Sequence, residues 1–288
     1  MSLQPTPSQE APRLAPGLYI VAGPIGNLSD LSPRAAEILR LADVVAVEDT
    51  RVSAKLLRHA GSERPMIPYH DHSDERVRQR LVDRMAGEAV ALLSDAGTPL
   101  ISDPGYKLVR DARAAGRAVT TAPGPCATIA ALTLSGLPTD RFLFLGFLPG
   151  KEKARADALA EVAGLRATLV TYESGPRAGK ALAAMAQVLG HREAAVVREI
   201  SKAFEEVVTG TLADLAARYA ENPPRGEIVL VIGPPSDERV EAAEEDVDAA
   251  LREAMARLPA SKAAGEVARK FGLERRALYD RAMALKDA

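Results

Sequence analysis

Residues 17–51 read GLYIVAGPIGNLSDLSPRAAEILRLADVVAVEDTR, and their rhythm decides the fold. The apolar run GLYIVAG has the length and β-branching of a strand; SPRAAEILRLA follows with helical spacing. Ser32 before Pro33 supplies an N-cap and then a proline at the first helical position. DVVAVED repeats the strand pattern and TRVSAKLLRHA the helical one, which makes a βαβα beginning. Outward from there, strands are predicted at Met66 to Tyr69, Ala89 to Leu93 and Ala118 to Thr121, separated by amphipathic stretches such as Asp74 to Met85. Such alternation implies an α/β fold with a parallel sheet packed between helices, over 17–121.

The prolines and glycine of APGP (Ala122 to Pro125) interrupt the rhythm and mark a domain boundary. Beyond it ATIAALTLSG reads as a helix, and RFLFLGF, ATLVTYES, AAVVREI, AFEEVVTG and EIVLVIG read as strands. The expectation for 122–233 is an α+β domain with a mixed sheet and fewer, longer helices. Clustered carboxylates and prolines over 234–257 predict an acidic linker running into a helix. Over 258–288, Ala264, Val267, Ala268 and Phe271 share one helical stripe, Gly272 sits at a turn, and Leu278 and Met283 lie on a following helix. That is a helix-turn-helix pattern. Its cations are Lys262, Arg269, Lys270, Arg275, Arg276, Arg281 and Lys286.

The chain has 288 residues, 37 Lys and Arg against 39 Asp and Glu, 26% charged and 47% hydrophobic residues. This is the composition of a folded globular protein with room for two domains and an appendage. A formal charge of -2 excludes a global cationic field, so any nucleic-acid contact must be local. Residues 1–16, rich in Pro, Gln and Ser, lack the apolar run of a secretory signal and predict a disordered tail. The lone Cys126 cannot form an internal disulfide, and no apolar run is long enough to span a membrane. Cytoplasmic location is the expectation.

Three motifs can carry chemistry. Gly23 to Leu28, GPIGNL, follows the first strand, where glycines let backbone approach a ligand. It lacks the spacing of a dinucleotide fingerprint and the Gly-Lys-Ser/Thr of a Walker loop, and its alternative is an ordinary turn. Glu48-Asp49-Thr50-Arg51 ends the second strand, on the side where open α/β sheets bind ligands; Asp49 or Thr50 could equally cap the next helix. LLSDAGTPLISDPG, Leu92 to Gly105, is rigid, hydroxyl-bearing and carries Leu100 and Ile101 where an idle loop rarely places them. An apolar wall of this kind suits a ligand with an aromatic base, a ribose and a sulfonium chain. The alternative is a plain strand-to-helix connection with Asp103 as a cap.

Taken in order, GPIGNLSDLSPRAAEIL, VVAVEDTR, LLSDAGTPLISDPG, PGPCA, FLGFLP, TYESGPR, REISKAFEEVVTGTL and GEIVLVIG resemble the tetrapyrrole-methylase superfamily. The closer resemblance is to its ribosomal RNA branch, which methylates the ribose 2′-hydroxyl of a cytidine in the decoding region of 16S rRNA. It covers Gly17 to Gly233 and the helix-turn-helix. It implies two α/β domains with S-adenosylmethionine in the cleft between them, a homodimer, and 16S rRNA or the small ribosomal subunit as substrate. The implied cofactor contacts are Pro24, Ser94, Asp95, Gly97, Thr98, Pro99, Ile101, Ala127, Thr128 and Tyr172. Thr98 stands where many porphyrin enzymes carry Asp, so a carboxylate contact is not implied at that position.

A ribose hydroxyl is a poor nucleophile, and its attack on a sulfonium methyl needs orientation and a group to receive or offset the proton. Lys202 with Glu206, or Glu173, suits that task, and Glu48 is a further candidate; a solvated salt-bridged surface is the alternative for the ISKAFEE segment. Cys126 reads as packing. His70-Asp71-His72 reads as loop decoration, with no metal expected. Two other functions compete: methylation of a tetrapyrrole or other small acceptor by the same fold, and a DNA-binding regulator that senses a nucleotide.

Overall fold

The computed structural model describes residues 13–70, 74–235, 237–271, 273 and 275–287, with side chains described for all of these except 237–245, 269 and 287. The chain falls into two compact units, one of Met1–Glu161 with Ala167–Gly233, the other of Val162–Arg166 with Pro234–Ala288. Both sheets lie in the first.

The first half alternates strand and helix as β1 (Gly17–Val21), α1 (Pro33–Leu41), β2 (Val44–Val47), α2 (Thr50–Ala60), β3 (Met66–Pro68), α3 (Glu75–Arg84), β4 (Ala89–Leu93), α4 (Tyr106–Ala114) and β5 (Val119–Ala122). The sheet order is β3-β2-β4-β1-β5 and every pairing is parallel. β2 and β4 are buried throughout, as a sheet covered on both faces requires. Ile38, Leu39, Leu56 and Leu57 of α1 and α2 share one core with Val45, Val47 and Leu93; Leu81, Val82, Leu108 and Ala112 of α3 and α4 share another with Val44, Val90 and Leu92. Strand residues of alternating register thus feed opposite faces. Ser32 caps α1 by accepting from the Ala35 N–H at 3.1 Å, as its position before Pro33 predicts.

The second half continues with α5 (Ala127–Leu134), β6 (Phe142–Phe147), α6 (Glu152–Glu161), β7 (Thr168–Ser174), α7 (Gly175–Leu189), β8 (Glu193–Arg198), β9 (Glu206–Thr211), α8 (Leu212–Arg218) and β10 (Glu227–Ile232). Its sheet, β6-β7-β10-β8-β9, is mixed: β6 and β7 are parallel and the other pairs antiparallel. The expectation of fewer, longer helices does not hold. Four α-helices are described here against four in the first half, and of the four here α7 alone exceeds ten residues, as α2 does in the first half.

Two other readings change. Of the tail expected over 1–16, residues 1–12 lie outside the described residues, while 13–16 are anchored: Leu14 packs on the first core and the Tyr19 hydroxyl donates to the Ala15 carbonyl at 2.8 Å. In the second unit, α9 (Asp237–Met255), α10 (Ala260–Phe271) and α11 (Arg275–Asp287) pack through Val247, Leu251, Ala264, Val267, Leu278 and Ala282. Phe271, expected on the buried stripe, is 37% exposed instead, with the Lys270 ammonium 5.4 Å from its ring centre. Gly272 lies outside the described residues.

Candidate functional site

Three loops meet at the carboxyl ends of β1, β4 and β5. The Gly23 N–H donates to the Gly97 carbonyl at 2.9 Å, the Gly97 N–H to the Pro24 carbonyl at 3.2 Å, and the Thr98 hydroxyl to the Pro125 carbonyl at 2.9 Å. Ser94, buried, turns its hydroxyl onto the Ala96 and Gly97 carbonyls, each at 3.3 Å. The segment between β4 and α4 holds two non-glycine residues in the left-handed region, Leu100 at φ 75° and Ser102 at φ 62°. Such conformations cost about 1–3 kcal/mol each and persist where neighbours enforce them.

These loops form one wall of a cavity of about 390 Å³. The opposite wall comes from β7, the start of β10 and the turn at Ile200. The volume falls in the range of small-molecule sites. Ile25, Ile101, Ile200 and Val229 make its surface largely apolar, and its charged lining residues are Asp103, Glu173 and Glu227. No Lys, Arg or His is in the described lining. A site so charged favours a cationic ligand and disfavours one held by its phosphates.

Glu173 ends β7 with its side chain 1% exposed. Its Oε1 accepts from the Ser174 N–H at 2.8 Å and lies 3.3 Å from Arg177 Nε, while its buried Oε2 has no hydrogen-bond partner. A buried carboxylate oxygen left this way is costly, which points to a donor arriving from the cavity. Beside it Tyr172 accepts from the Thr128 hydroxyl at 2.8 Å and packs edge-on against Phe144 and Phe147. Phe147, 60% exposed, lines the cavity.

Asp103 is pushed up to about 6, first by burial and then by the nearby charge of Glu48; a hydrogen bond from Ser94 works the other way. Because the folded value lies above the usual 3.8, the native state binds this proton more readily than the unfolded chain. The destabilisation is therefore absent below about pH 4, grows through the interval to about 6, and is complete above it. Asp103→Asn is expected to flatten this stretch of the stability-pH curve in chemical denaturation. At pH 7 it should gain about 1 kcal/mol, after allowance for the partial exposure of the group.

The site residues expected from sequence are distributed unevenly. Gly97, Thr98, Ile101, Ala127 and Tyr172 line the cavity. Pro24, Ser94 and Thr128 stand one layer back, bonded to the wall, and Pro99 is buried outside it. Asp95 faces α2, accepting from the Asp49 N–H at 3.3 Å. Of the proton-handling candidates only Glu173 is in the wall. Lys202 does not pair with Glu206: its ammonium sits 3.0 Å from both Glu199 and Glu227, and Glu206 pairs with Arg198 at 3.1 Å. Desolvation opposes the charge on Lys202, but its bonds to Glu227 and Glu199 outweigh it and raise the pKa, so this amine holds its proton. It can offset charge and cannot act as a base. Glu48 lies outside the wall, acting on Asp103 through its charge.

Asp49 is the cap of α2, accepting from the Arg51 N–H at 2.8 Å. Asp103 is not a cap, because Gly105 occupies that position in α4 without a side-chain bond. Cys126, read as packing, lines the cavity, as do Ser102, Asp103 and Gly226 to Val229. The left-handed Leu100 and Ser102 explain the first two of these, and sequence carries no local signal for the last four. Asp71 and His72 lie outside the described residues; among the described ones no group of three or more His, Cys, Asp or Glu could hold a metal. No described helix is long and apolar enough to cross a membrane.

Residues 17–216 match the family model described as Tetrapyrrole (Corrin/Porphyrin) Methylases, and 241–286 match that of the RsmI C-terminal HTH domain. Over 275 residues the chain is 56% identical to ribosomal RNA small subunit methyltransferase I of Erythrobacter litoralis, covering 95% of this chain and 96% of the relative. Among solved structures it resembles a conserved hypothetical protein of Aeropyrum pernix K1, with TM-score 0.61, 18% identity, and 93% and 96% of the two chains covered. It also resembles the uroporphyrin-III C-methyltransferase of Thermus thermophilus complexed with S-adenosylhomocysteine, with TM-score 0.52, 22% identity, and 75% and 97% covered.

Proposed function

The chain belongs to the tetrapyrrole methylase family, and from that premise we propose that it transfers a methyl group from S-adenosylmethionine to the ribose 2′-hydroxyl of a cytidine in 16S rRNA. The observation that carries the acceptor is the extent of the match. The porphyrin enzyme of this fold covers 75% of the chain, whereas the ribosomal RNA methyltransferase covers 95%. The segment at issue includes residues 241–286, which match a C-terminal domain of the RNA-modifying branch.

The cavity suits the methyl donor. Bound there, S-adenosylmethionine would supply an electrophilic methyl on a sulfonium, open to displacement by the 2′-oxygen. Ile25, Ile101 and Val229 offer apolar area for a base, and Gly97 offers close backbone. Asp103 and Glu173 supply negative charge without a competing lysine or arginine in the lining, and the free Oε2 of Glu173 is the acceptor best placed for a proton or a ligand hydroxyl. Lys202, Glu206 and Glu48 serve this site by holding its surroundings. The homodimer and the cytoplasm belong to the same proposal.

Purified protein with methyl-labelled S-adenosylmethionine and either unmodified small subunits or a precorrin mixture tests the reading. Label is expected in the rRNA at a ribose. Label in the tetrapyrrole would move the acceptor to a small molecule, and label in neither would end the enzyme assignment.

A further inference from the structure

The cavity lining contains three carboxylates and no cation among the described residues, so an RNA strand whose ribose reaches it must have its phosphates held elsewhere. The chain as a whole is formally -2, yet its charge is segregated. Helices α1 to α4 carry twelve Lys and Arg against four Asp and Glu, whereas residues 234–288 carry ten against twelve. On α3 and α4, which share a core on one face of the parallel sheet, seven cations stand against three carboxylates.

Two of these cations are committed to pairs, Arg78 with Asp111 at 2.5 Å and Glu75 at 3.2 Å and Arg84 with Glu88 at 2.6 Å, whereas Arg110, its side chain 64% exposed, lies 3.1 Å from the Asp111 that Arg78 already holds and keeps part of its charge for a ligand. Asp111 is thereby shared between two arginines. Arg76, Arg80 and Arg113 are exposed and make no ion pair among the described residues. Helical spacing puts Arg76 and Arg80 on one stripe of α3, and Tyr106, Arg110 and Arg113 on one stripe of α4. The α4 stripe begins just beyond the cavity wall. Ile101, Ser102 and Asp103 line the cavity, and Tyr106, 54% exposed with the Lys107 ammonium 6.0 Å from its ring centre, follows three residues later.

We propose that the exposed face of α3 and α4 is the docking surface for the RNA strand that carries the acceptor nucleotide. Arg76, Arg80, Arg110 and Arg113 neutralise its phosphates, and Tyr106 stacks a base beside the cavity mouth. The inference rests on the RNA-methylating reading above. It puts the main electrostatic contact on the unit that holds the cavity rather than on the cations of the helix-turn-helix.

The test compares wild type with R76Q/R80Q/R110Q/R113Q and, separately, with Tyr106→Ala. S-adenosylmethionine affinity and thermal unfolding serve as controls, and affinity for unmodified 16S rRNA and for unmodified small subunits is followed across a potassium chloride series. The quadruple variant is expected to keep its melting temperature and cofactor affinity. Its RNA affinity should fall at least tenfold at moderate salt, with the slope of log affinity against log salt shallower by about 3. Tyr106→Ala should weaken binding about tenfold without changing that slope. Unchanged affinity and slope in the quadruple variant would overturn the proposal. So would a slope that falls only when Lys262, Lys270 and Arg276 are replaced by Gln. Loss on subunits but not on naked rRNA would assign the face to a ribosomal protein. A wild type that methylates no RNA would instead fail the underlying reading.

Discussion

Glu173→Gln is expected to slow methyl transfer by about a hundredfold or more under single-turnover conditions with cofactor and RNA saturating. The amide keeps an oxygen for the Ser174 N–H, which Glu173 Oε1 now accepts at 2.8 Å, so the end of β7 retains its geometry. What changes is Oε2, buried and without a partner: an NH2 group there donates and cannot receive a proton. Stability should move by no more than about 1 kcal/mol, since the lost ionic contact with Arg177 involves a half-exposed guanidinium and the desolvated charge disappears with it. Measured separately, cofactor affinity distinguishes a proton-transfer role from a binding one. A rate within a fewfold of wild type would remove Glu173 as the acceptor and leave Asp103, the other carboxylate of the wall that is not ion-paired to a lysine.

Why Glu173 was legible and its neighbours were not follows from the range over which each signal acts. TYES closes an apolar run, so a carboxylate there stands out within four residues of sequence. Lys202 and Glu206 stand out equally in SKAFEE, yet beyond the local contact of Lys202 with Glu199 their partners are Glu227 and Arg198, brought to them by the antiparallel pairing of β8, β9 and β10. Charge spacing within a segment does not encode that register. The parallel sheet was legible because each strand is a local apolar run bounded by its own turn, and every βα unit is nearly self-contained. Gly226 to Val229 enter the cavity only through the pairing of β10 with β7, more than fifty residues distant, and no local feature announces it.

LLSDAGTPLISDPG shows both sides of this limit. Leu100 and Ile101 together suggested an apolar wall for a ligand. Ile101 is in that wall, but Leu100 packs toward the core under β4, alongside Leu92 and Leu108. Between β4 and α4 the backbone is not a strand, and the left-handed Leu100, at φ 75°, is where it turns and separates the two side chains. The strain belongs to Leu100 and Ser102, residues that do not signal it in sequence as a glycine would.

Gly105 makes that turn possible, and its replacement should lower stability and cofactor affinity together. It sits at φ 134°, a conformation closed to L side chains, and a Cβ there would lie 2.8 Å from Leu92 Cδ2 and 3.1 Å from Leu100 Cδ1. Leu92 is fixed within β4, so the strain cannot be relieved by rotating one exposed group; Leu100 would have to leave the core or α4 shift along its axis. Gly105→Ala is expected to cost about 3 kcal/mol from backbone strain and overpacking together. In a unit of this size that lowers the melting temperature by about 5–10 °C. Because Ile101 to Asp103 ride on the same turn, S-adenosylmethionine affinity should fall at least tenfold at a temperature where the variant remains folded. Gly116→Ala, also at positive φ but with nothing within 4 Å of the added carbon, gives the comparison: it bears the backbone term alone and lies at the far end of α4. Its melting temperature should drop less and its cofactor affinity should stay at the wild-type value. Equal losses of affinity in the two variants would mean that the 97–105 turn does not shape the cofactor wall.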